Sequence, residues 1–406
     1  MSGRPTILFV ADAVTLAHVA RPSSLARRLD PAKFSVVLAC DPRYHEFLKE
    51  NDFPLLRLRS IGSERFLNAA AKGQPLYDTP ALRSYVRDDL ALLASVRPAA
   101  VVGDHRLSLS VSARLSGVPY LNIINAYWSP YAVGRSLPLP DLPINRYVDT
   151  RIAQSLFRLA WPLASAWHSR PLNRVRREYG LPSLGSDWFR SYTDGDYTLY
   201  ADASELVPTM DLPPSHSYLG PILWSPDVAL PDWWNDLPSD RPLIYATMGS
   251  SGNPALLDLV LTALADLPLT IVATTAGSAH PRVAPANARL VPYAPGEQLA
   301  ARADLMICNG GSLTVYQSLS AGKPLLGIAS HMDQQLSMSY VEQAGVGKLL
   351  RSDELNAAKL RRSVSQLLAD QKMQRCARTL AHALATYCPA QRLSQVLTKV
   401  TGHAQS

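Results

Sequence analysis

"DLMICNGGSLTVYQ" (residues 304–317) is the stretch from which the rest of the chain can be read. Leu305, Met306, Ile307 and Cys308 make a short buried strand. Asn309 and two adjacent glycines then form a tight turn, and a helical pattern starts near Thr314. Glycines without Cβ atoms let a ligand approach the backbone, and the unpaired N–H groups of a helix's first turn attract an anion. A nucleotide diphosphate is the expected visitor. The same residues have a ligand-free explanation, because Thr314 and Gln317 satisfy the T-x-x-Q capping-box spacing.

Outward from this stretch the chain repeats one rhythm, a short Val/Ile/Leu-rich run followed by a helical pattern. Buried parallel strands alternating with crossover helices read in this way. One series holds "TILFVA" (6–11), "FSVVLAC" (34–40), "AAVVGD" (99–104) and "PYLNII" (119–124), with helices expected over "RPSSLARRLD" (21–30) and "SLSVSARLSG" (108–117). A second holds "PLIYATMG" (242–249), "LTIVATTAG" (269–277), "ARLVPY" (288–293), "DLMICN" (304–309) and "KPLLGIA" (323–329). Each series suffices for a doubly wound α/β sheet. The expected domains are 1–220 and 242–385, joined by a proline-rich linker over 221–241, with a helix in 386–406 returning to the first domain. Ligands are expected at the strand C-terminal ends, in a cleft between the two sheets.

Composition narrows the function classes. A 406-residue chain with 47% hydrophobic and 18% charged residues is globular and long enough for two domains. Its formal charge of +7 comes from scattered Lys and Arg with no basic run, so nucleic acid is not an expected partner, and a phosphorylated small molecule or an anionic membrane face is. Cys40, Cys308, Cys376 and Cys388 form no CxxC pair, which disfavours a zinc site or a disulfide framework and fits a reducing cytoplasm. No apolar run approaches the roughly 20 residues of a spanning helix. "SLFRLAWPLASAW" (155–167) is apolar enough to lie on a membrane surface or cover an acceptor groove. It also reads as a helix packed on the core and broken near Pro162.

Beyond the opening turn, Asp333 and Gln334 suit sugar hydroxyls, or serve as an N-cap and a first-turn residue. The stretch "VPYAPGEQLAARADLMICNGGSLTVYQSLSAGKPLLGIASHMDQQLSMSYVEQAGVG" (291–347) resembles the nucleotide-sugar signature of the family 1, UDP-glycosyltransferase-like enzymes of the two-domain GT-B fold. "AHVARPSSLARRL", "VVGDHRLSLSVSARLSGVPYLN" and "YATMGSSG" extend the similarity over most of the chain. The resemblance implies that Asn309, Gly310, Gly311, Ser312 and Thr314 hold a diphosphate and that Gln317 stands where relatives place Glu against the ribose. It further implies that Tyr293 stacks on the base, Ser250 and Ser251 contact phosphate, and Asp333 and Gln334 bind the donor sugar. The family usually carries His at 309, Gly at 313 and Gly at 17, where this chain has Asn309, Leu313 and Ala17, and Gly296 lacks a side chain that relatives use near the base.

Inverting transfer needs a base for the acceptor proton, and an imidazole held by a carboxylate suits that task. His18, in "AHVARP" after the first strand, and Asp104, at the end of another, are the expected pair. Both residue types are also common as surface or capping groups, and His105 is a rival base. The acceptor is expected to be a hydrophobic small molecule against residues 125–144, with Tyr127, Trp128 and Tyr131 as contacts. The co-substrate is a UDP- or TDP-sugar, and no cofactor or metal is expected. "TDGDY" (193–197) contains a D-x-D of the metal-binding kind, but also reads as a tight turn into "YTLYA". A non-catalytic auxiliary protein and a nucleotide-sugar epimerase on the same fold are the alternatives. A nicotinamide oxidoreductase is disfavoured because no G-x-G-x-x-G turn follows the first strand.

Overall fold

The computed structural model describes residues 4–48, 53–139, 150–277 and 284–403, and every apolar run named above is a strand in it. Among the described residues the first sheet contains Thr6–Ala11 (β1), Ser35–Cys40 (β2), Leu55–Arg57 (β3), Ala100–Asp104 (β4), Tyr120–Ile124 (β5), Tyr197–Tyr200 (β6) and His216–Tyr218 (β7). Their order is β3-β2-β1-β4-β5-β6-β7, all parallel. The second sheet contains Leu243–Thr247 (β8), Thr270–Thr274 (β9), Ala288–Val291 (β10), Leu305–Cys308 (β11), Leu325–Ala329 (β12) and Gly347–Arg351 (β13). Its order is β10-β9-β8-β11-β12-β13, again parallel. Strand order reverses beside β1 in one sheet and beside β8 in the other, where α/β folds bind ligands at the strands' carboxyl ends.

The central strands are continuous apolar runs because helices cover both of their faces. One face of the first sheet buries Ile7, Phe9, Leu38 and Val102 with Leu393, Leu397 and Val400 of the Pro389–His403 helix, so the last helix is part of the first unit's core. The opposite face packs Leu8, Val10 and Val101 against Leu92 and Leu93 of the Thr79–Val96 helix. In the second unit Ile244, Ile271, Ile307 and Leu326 meet Val260 and Leu264 of the Pro254–Leu264 helix and Val364 of the Ala357–Ala369 helix.

The first unit comprises the described residues of Met1–Val133, Arg146–Ile222 and Tyr387–Ser406; the second comprises those of Gly134–Asn145 and Leu223–Thr386. Most of the expected linker over 221–241 therefore groups with the second unit. Hydrogen bonds hold it there: Arg302 donates to the carbonyls of Trp234 and Leu237, and Gln317 to that of Trp224. Of the stretch 125–144 expected to line an acceptor pocket, residues 140–144 lie outside the described residues.

Three sequence expectations change. The first helix spans Leu16–Arg27, so His18 lies in its first turn and not in a loop, and Pro22 sits inside the helix. Proline has no N–H, so the His18 carbonyl loses its usual helical donor four residues on. The helix after the glycine turn spans Ser312–Ser320 with Gly311 at its cap, which puts Thr314 inside the first turn and rules out the T-x-x-Q box. The segment 155–167 is not broken at Pro162 but belongs to one helix, Thr150–Glu178.

Candidate functional site

The first unit gathers its chemistry at the ends of β1 and β4. Asp104 is buried at the end of β4, and its Oδ1 lies 2.8 Å from Nδ1 of His18, which is 17% exposed. The sequence reading did not foresee the third member. Arg21, one helical turn after His18, is buried and grips the same carboxylate with both arms, Nε to Oδ2 and Nη2 to Oδ1, each at 2.8 Å. Its Nη1 donates to Asn125 Oδ1 at 2.6 Å, and Asn125 Nδ2 donates to the buried Asp202 at 3.2 Å. Burial lowers the Arg21 pKa, but the charge and hydrogen bonds of Asp104 outweigh it, with Tyr127 and Asp202 adding to them, and the guanidinium ends above its usual range. Its charge is permanent and balances that of Asp104.

Nη2 of Arg21 also lies 3.1 Å from Nδ1 of His18, so the geometry admits two tautomers. With the proton on Nδ1, His18 donates to Asp104 and its Nε2 lone pair is free to act as a base. With the proton on Nε2, Nδ1 accepts from Arg21 and the ring is a donor. The only hint of this arrangement in the sequence is the i, i+3 spacing of His18 and Arg21, which sets both on one helix face.

His105, the rival base, follows Asp104 with a left-handed backbone (φ 58°). Its ring lies 4.4 Å from that of His18, centroid to centroid, with Phe66 and Tyr192 each at 5.6 Å. Its Nδ1 is 3.0 Å from the Tyr77 hydroxyl, which donates to the buried Asp12 at 2.6 Å. Burial above all, then the charges of His18 and Arg21, hold His105 well below the usual histidine range, so it is neutral.

Aromatic rings continue outward within this unit. Tyr192 contacts Trp128 at 4.9 Å, and Trp128 contacts Trp188 at 5.0 Å and Phe189 at 5.7 Å. Of the expected acceptor contacts, Tyr131 is half-buried against His216, while Tyr127 and Trp128 are buried in the turn Ala126–Trp128. That turn directs both side chains inward from the end of β5. Tyr127 and Trp128 are therefore interior residues and not open acceptor contacts, and the unforeseen Tyr192, buried as well, links Trp128 to His105.

The D-x-D of residues 194–196 resolves as the turn. Asp194 pairs with Arg114 and Arg176, and Asp196 accepts from the Tyr120 backbone N–H at 2.8 Å. Both carboxylates are committed to protein partners. Among the described residues no group of three or more His, Cys, Asp or Glu side chains is placed to hold a metal ion.

In the second unit, β11 delivers the chain into the glycine turn. Gly310 has φ +84°, and a Cβ there would stand 2.6 Å from Cγ of Met338, so this glycine is required by the backbone and by packing whether or not a ligand binds. Asn309 is 3% exposed and both ends of its amide are engaged: Nδ2 donates to Ser251 Oγ at 3.1 Å, and Oδ1 accepts from the Gly311 N–H at 3.1 Å. It clasps the turn to the loop after β8, the loop of Ser250 and Ser251. Gly311, Ser312, Leu313 and Thr314 are half-exposed, and Gly311, at the N-cap of the helix, has no side chain to cap it. Burial pushes the Cys308 thiol, beside the turn, up to about 12, which makes it inert.

Other expected donor contacts are placed less openly. Gln317 is buried, its Nε2 donates to the Trp224 carbonyl at 2.7 Å, and it lies where a side chain at Gly296 would stand. Asp333 is half-exposed in the first turn of the Met332–Gln343 helix, whose cap is His331 and not Asp333. Gln334 is 0% exposed; its Oε1 accepts from the Ser330 N–H at 2.9 Å, while its Nε2 is a buried donor without an acceptor. Tyr293 is half-buried beside Gly277 at the end of β9, where a Cβ on that glycine would lie 2.6 Å from its hydroxyl.

Comparison with known proteins fits this geometry. The spinosyn rhamnosyltransferase SpnG, solved in complex with thymidine diphosphate, has the same fold, with a TM-score of 0.69 at 17% identity over 97% of this chain and 99% of that one. Two doubly wound parallel sheets of this kind define the GT-B glycosyltransferases. Residues 258–399 match the family described as erythromycin biosynthesis protein CIII-like, C-terminal domain. A PGL/p-HBAD biosynthesis glycosyltransferase of Mycobacterium tuberculosis is 52% identical over 380 residues, 94% of this chain and 89% of that protein. A PGL/p-HBAD biosynthesis rhamnosyltransferase of Mycobacterium bovis is 50% identical over the same length, 94% of this chain and 84% of its own. The chain belongs to this family of family 1, GT-B glycosyltransferases, and glycosyl transfer is its activity.

Proposed function

We propose that the protein transfers a hexose from a UDP- or TDP-sugar, with inversion and without a metal ion, to a hydroxyl of a hydrophobic small molecule. The observation that carries this reading is the 2.8 Å contact of His18 Nδ1 with an Asp104 that Arg21 already neutralises. A proton on Nδ1 leaves Nε2 to take the acceptor's hydroxyl proton as that oxygen bonds to the sugar carbon and the bond to the diphosphate breaks. Asp104 holds the ring in this tautomer and keeps its hydrogen bond to the imidazolium that forms. The aromatic cluster of His105, Tyr192 and Trp128 is buried, so on this reading it braces the ring of His18 and does not itself face the acceptor.

On the donor side, the departing diphosphate is to be received by the first turn of the Ser312–Ser320 helix, whose N-cap is a glycine and whose dipole and N–H groups need no metal to stabilise an anion. On this reading the half-exposed Asp333 meets a sugar hydroxyl, while the buried Gln334 braces the chain at Ser330. A relative named as a rhamnosyltransferase and a fold neighbour bound to thymidine diphosphate favour TDP-linked 6-deoxyhexoses among the donors.

The test is a panel of UDP-, TDP- and GDP-sugars with phenolic and aliphatic alcohols, with products read by mass spectrometry. Glycosylated acceptor and free nucleotide diphosphate, undiminished by EDTA, are expected. Isomerised donor with no acceptor consumed would make the protein an epimerase, and no turnover at all without a partner would make it an auxiliary protein. Asn309→Ala removes two hydrogen bonds from the clasp. It is expected to weaken nucleotide-diphosphate binding about tenfold in calorimetry, and an unchanged affinity would show that the clasp does not shape the anion site.

A further inference from the structure

The Thr150–Glu178 helix is apolar on more than the face it buries. Its inner face packs Trp161 against Phe189 and Trp188, and Leu172 and Val175 in the core with Tyr85. On another face Ile152, Leu156, Leu159, Leu163 and Trp167 are all exposed, Leu159 at 79% and Leu163 at 78%. Their spacing of four, three, four and four residues makes a single stripe roughly 22 Å long at 1.5 Å per residue. Single exposed leucines are ordinary on a protein surface, but a contiguous row is not, and a helix apolar on two sides has two partners to cover.

The charges around the stripe say what covers the second side. The helix contains six arginines, and its only carboxylate, Glu178, is at its last position. Arg151 and Arg158 are exposed along the apolar part, and Arg170, Arg174 and Arg177 carry the surface on toward the C-terminal end. At that end Trp167 and Arg174 help line an open cavity of about 770 Å³ whose other cations are Arg65, Lys72 and Arg83, against one lining carboxylate, Asp78. Arg65 pairs with Asp78, and Arg83 and Arg174 with Glu178, which leaves the cavity an excess of positive charge. A leucine row bordered by arginines is the pattern of a helix lying in a lipid headgroup layer, with leucines in the acyl boundary and guanidinium groups at the phosphates. No helix among the described residues is long and apolar enough to cross a membrane, so the contact is peripheral.

We propose that this face of the helix, with the basic cavity at its Trp167 end, docks on an anionic lipid bilayer. The proposal is independent of the catalytic reading, since binding needs neither donor nor acceptor, and its failure would leave glycosyl transfer untouched.

Co-sedimentation of the full chain with vesicles of phosphatidylcholine alone, or of phosphatidylcholine with phosphatidylglycerol, is the test. Binding to the anionic vesicles is expected, weakening as salt is added. The double variant Leu159→Glu/Leu163→Glu is expected to bind them roughly a hundredfold less tightly, about tenfold per leucine. Arg158→Gln/Arg170→Gln should remove most of the preference for anionic over neutral vesicles. All four side chains are exposed, so thermal midpoints should match the parent protein. Absence of parent binding to anionic vesicles, or equal binding by the leucine variant, overturns the proposal. So does a dimer, seen by light scattering, that the leucine variant dissolves while vesicles capture neither protein, since the stripe would then belong to a second copy of this chain.

Discussion

His18→Ala is expected to lower the turnover of glycosyl transfer about a thousandfold, within the range that a positioned general base supplies. Calorimetric affinity for the nucleotide diphosphate should stay unchanged, because the residues proposed to hold it, Asn309 to Thr314, belong to the second unit. The neighbouring imidazole supplies the control. His105→Asn, a replacement that accepts the left-handed backbone, should cost about tenfold or less. His105 is neutral and directs Nδ1 to the Tyr77 hydroxyl, and among the described residues no carboxylate hydrogen-bonds its ring. If His18→Ala kept most of its activity and His105→Asn lost it, the base would be His105, reached through the Asp12–Tyr77 chain.

The other large effect is on stability. Arg21 and Asp104 form a buried ion pair with two-armed geometry, and removing one partner strands the other's charge away from water. Arg21→Met is expected to destabilise the first unit by about 3–5 kcal/mol, lowering its thermal transition by on the order of 10 °C. Arg21→Met/Asp104→Leu should recover much of that loss, because the Asp104 charge is no longer stranded, while transfer stays lost because His18 then has no carboxylate at Nδ1. Recovery of transfer along with stability would show that Asp104 has no orienting role. A cost near zero for Arg21→Met would show that water reaches the carboxylate.

Much of this architecture was legible because a strand covered on both faces must be apolar along its whole length. β1, β2, β4 and the core strands of the second sheet announce themselves for that reason. β3, β7 and β13 did not. They are edge strands, short or carrying residues such as His216, Ser217 and Lys348, so no continuous apolar run marks them. Among the site residues, His18 and Asp104 were reached through family resemblance, since a histidine after a strand and an aspartate ending one are individually uninformative. Arg21 carried no signal beyond its spacing from His18, because its partner is 83 residues away.

By itself the sequence determined the alternation of strand and helix, the two doubly wound halves and the glycine turn before an anion-ready helix. Each depends on local backbone preference and burial periodicity, which are properties of neighbours along the chain. Only the tertiary structure decided that Asn309 spends its amide on the two loops, that Gln317 answers the Trp224 carbonyl, that Tyr127 points inward, and that a leucine row remains uncovered. Those outcomes depend on which distant groups meet a side chain. The free energy of a hydrogen bond or an ion pair is set by that meeting and by the water it excludes, neither of which is a property of the chain read residue by residue.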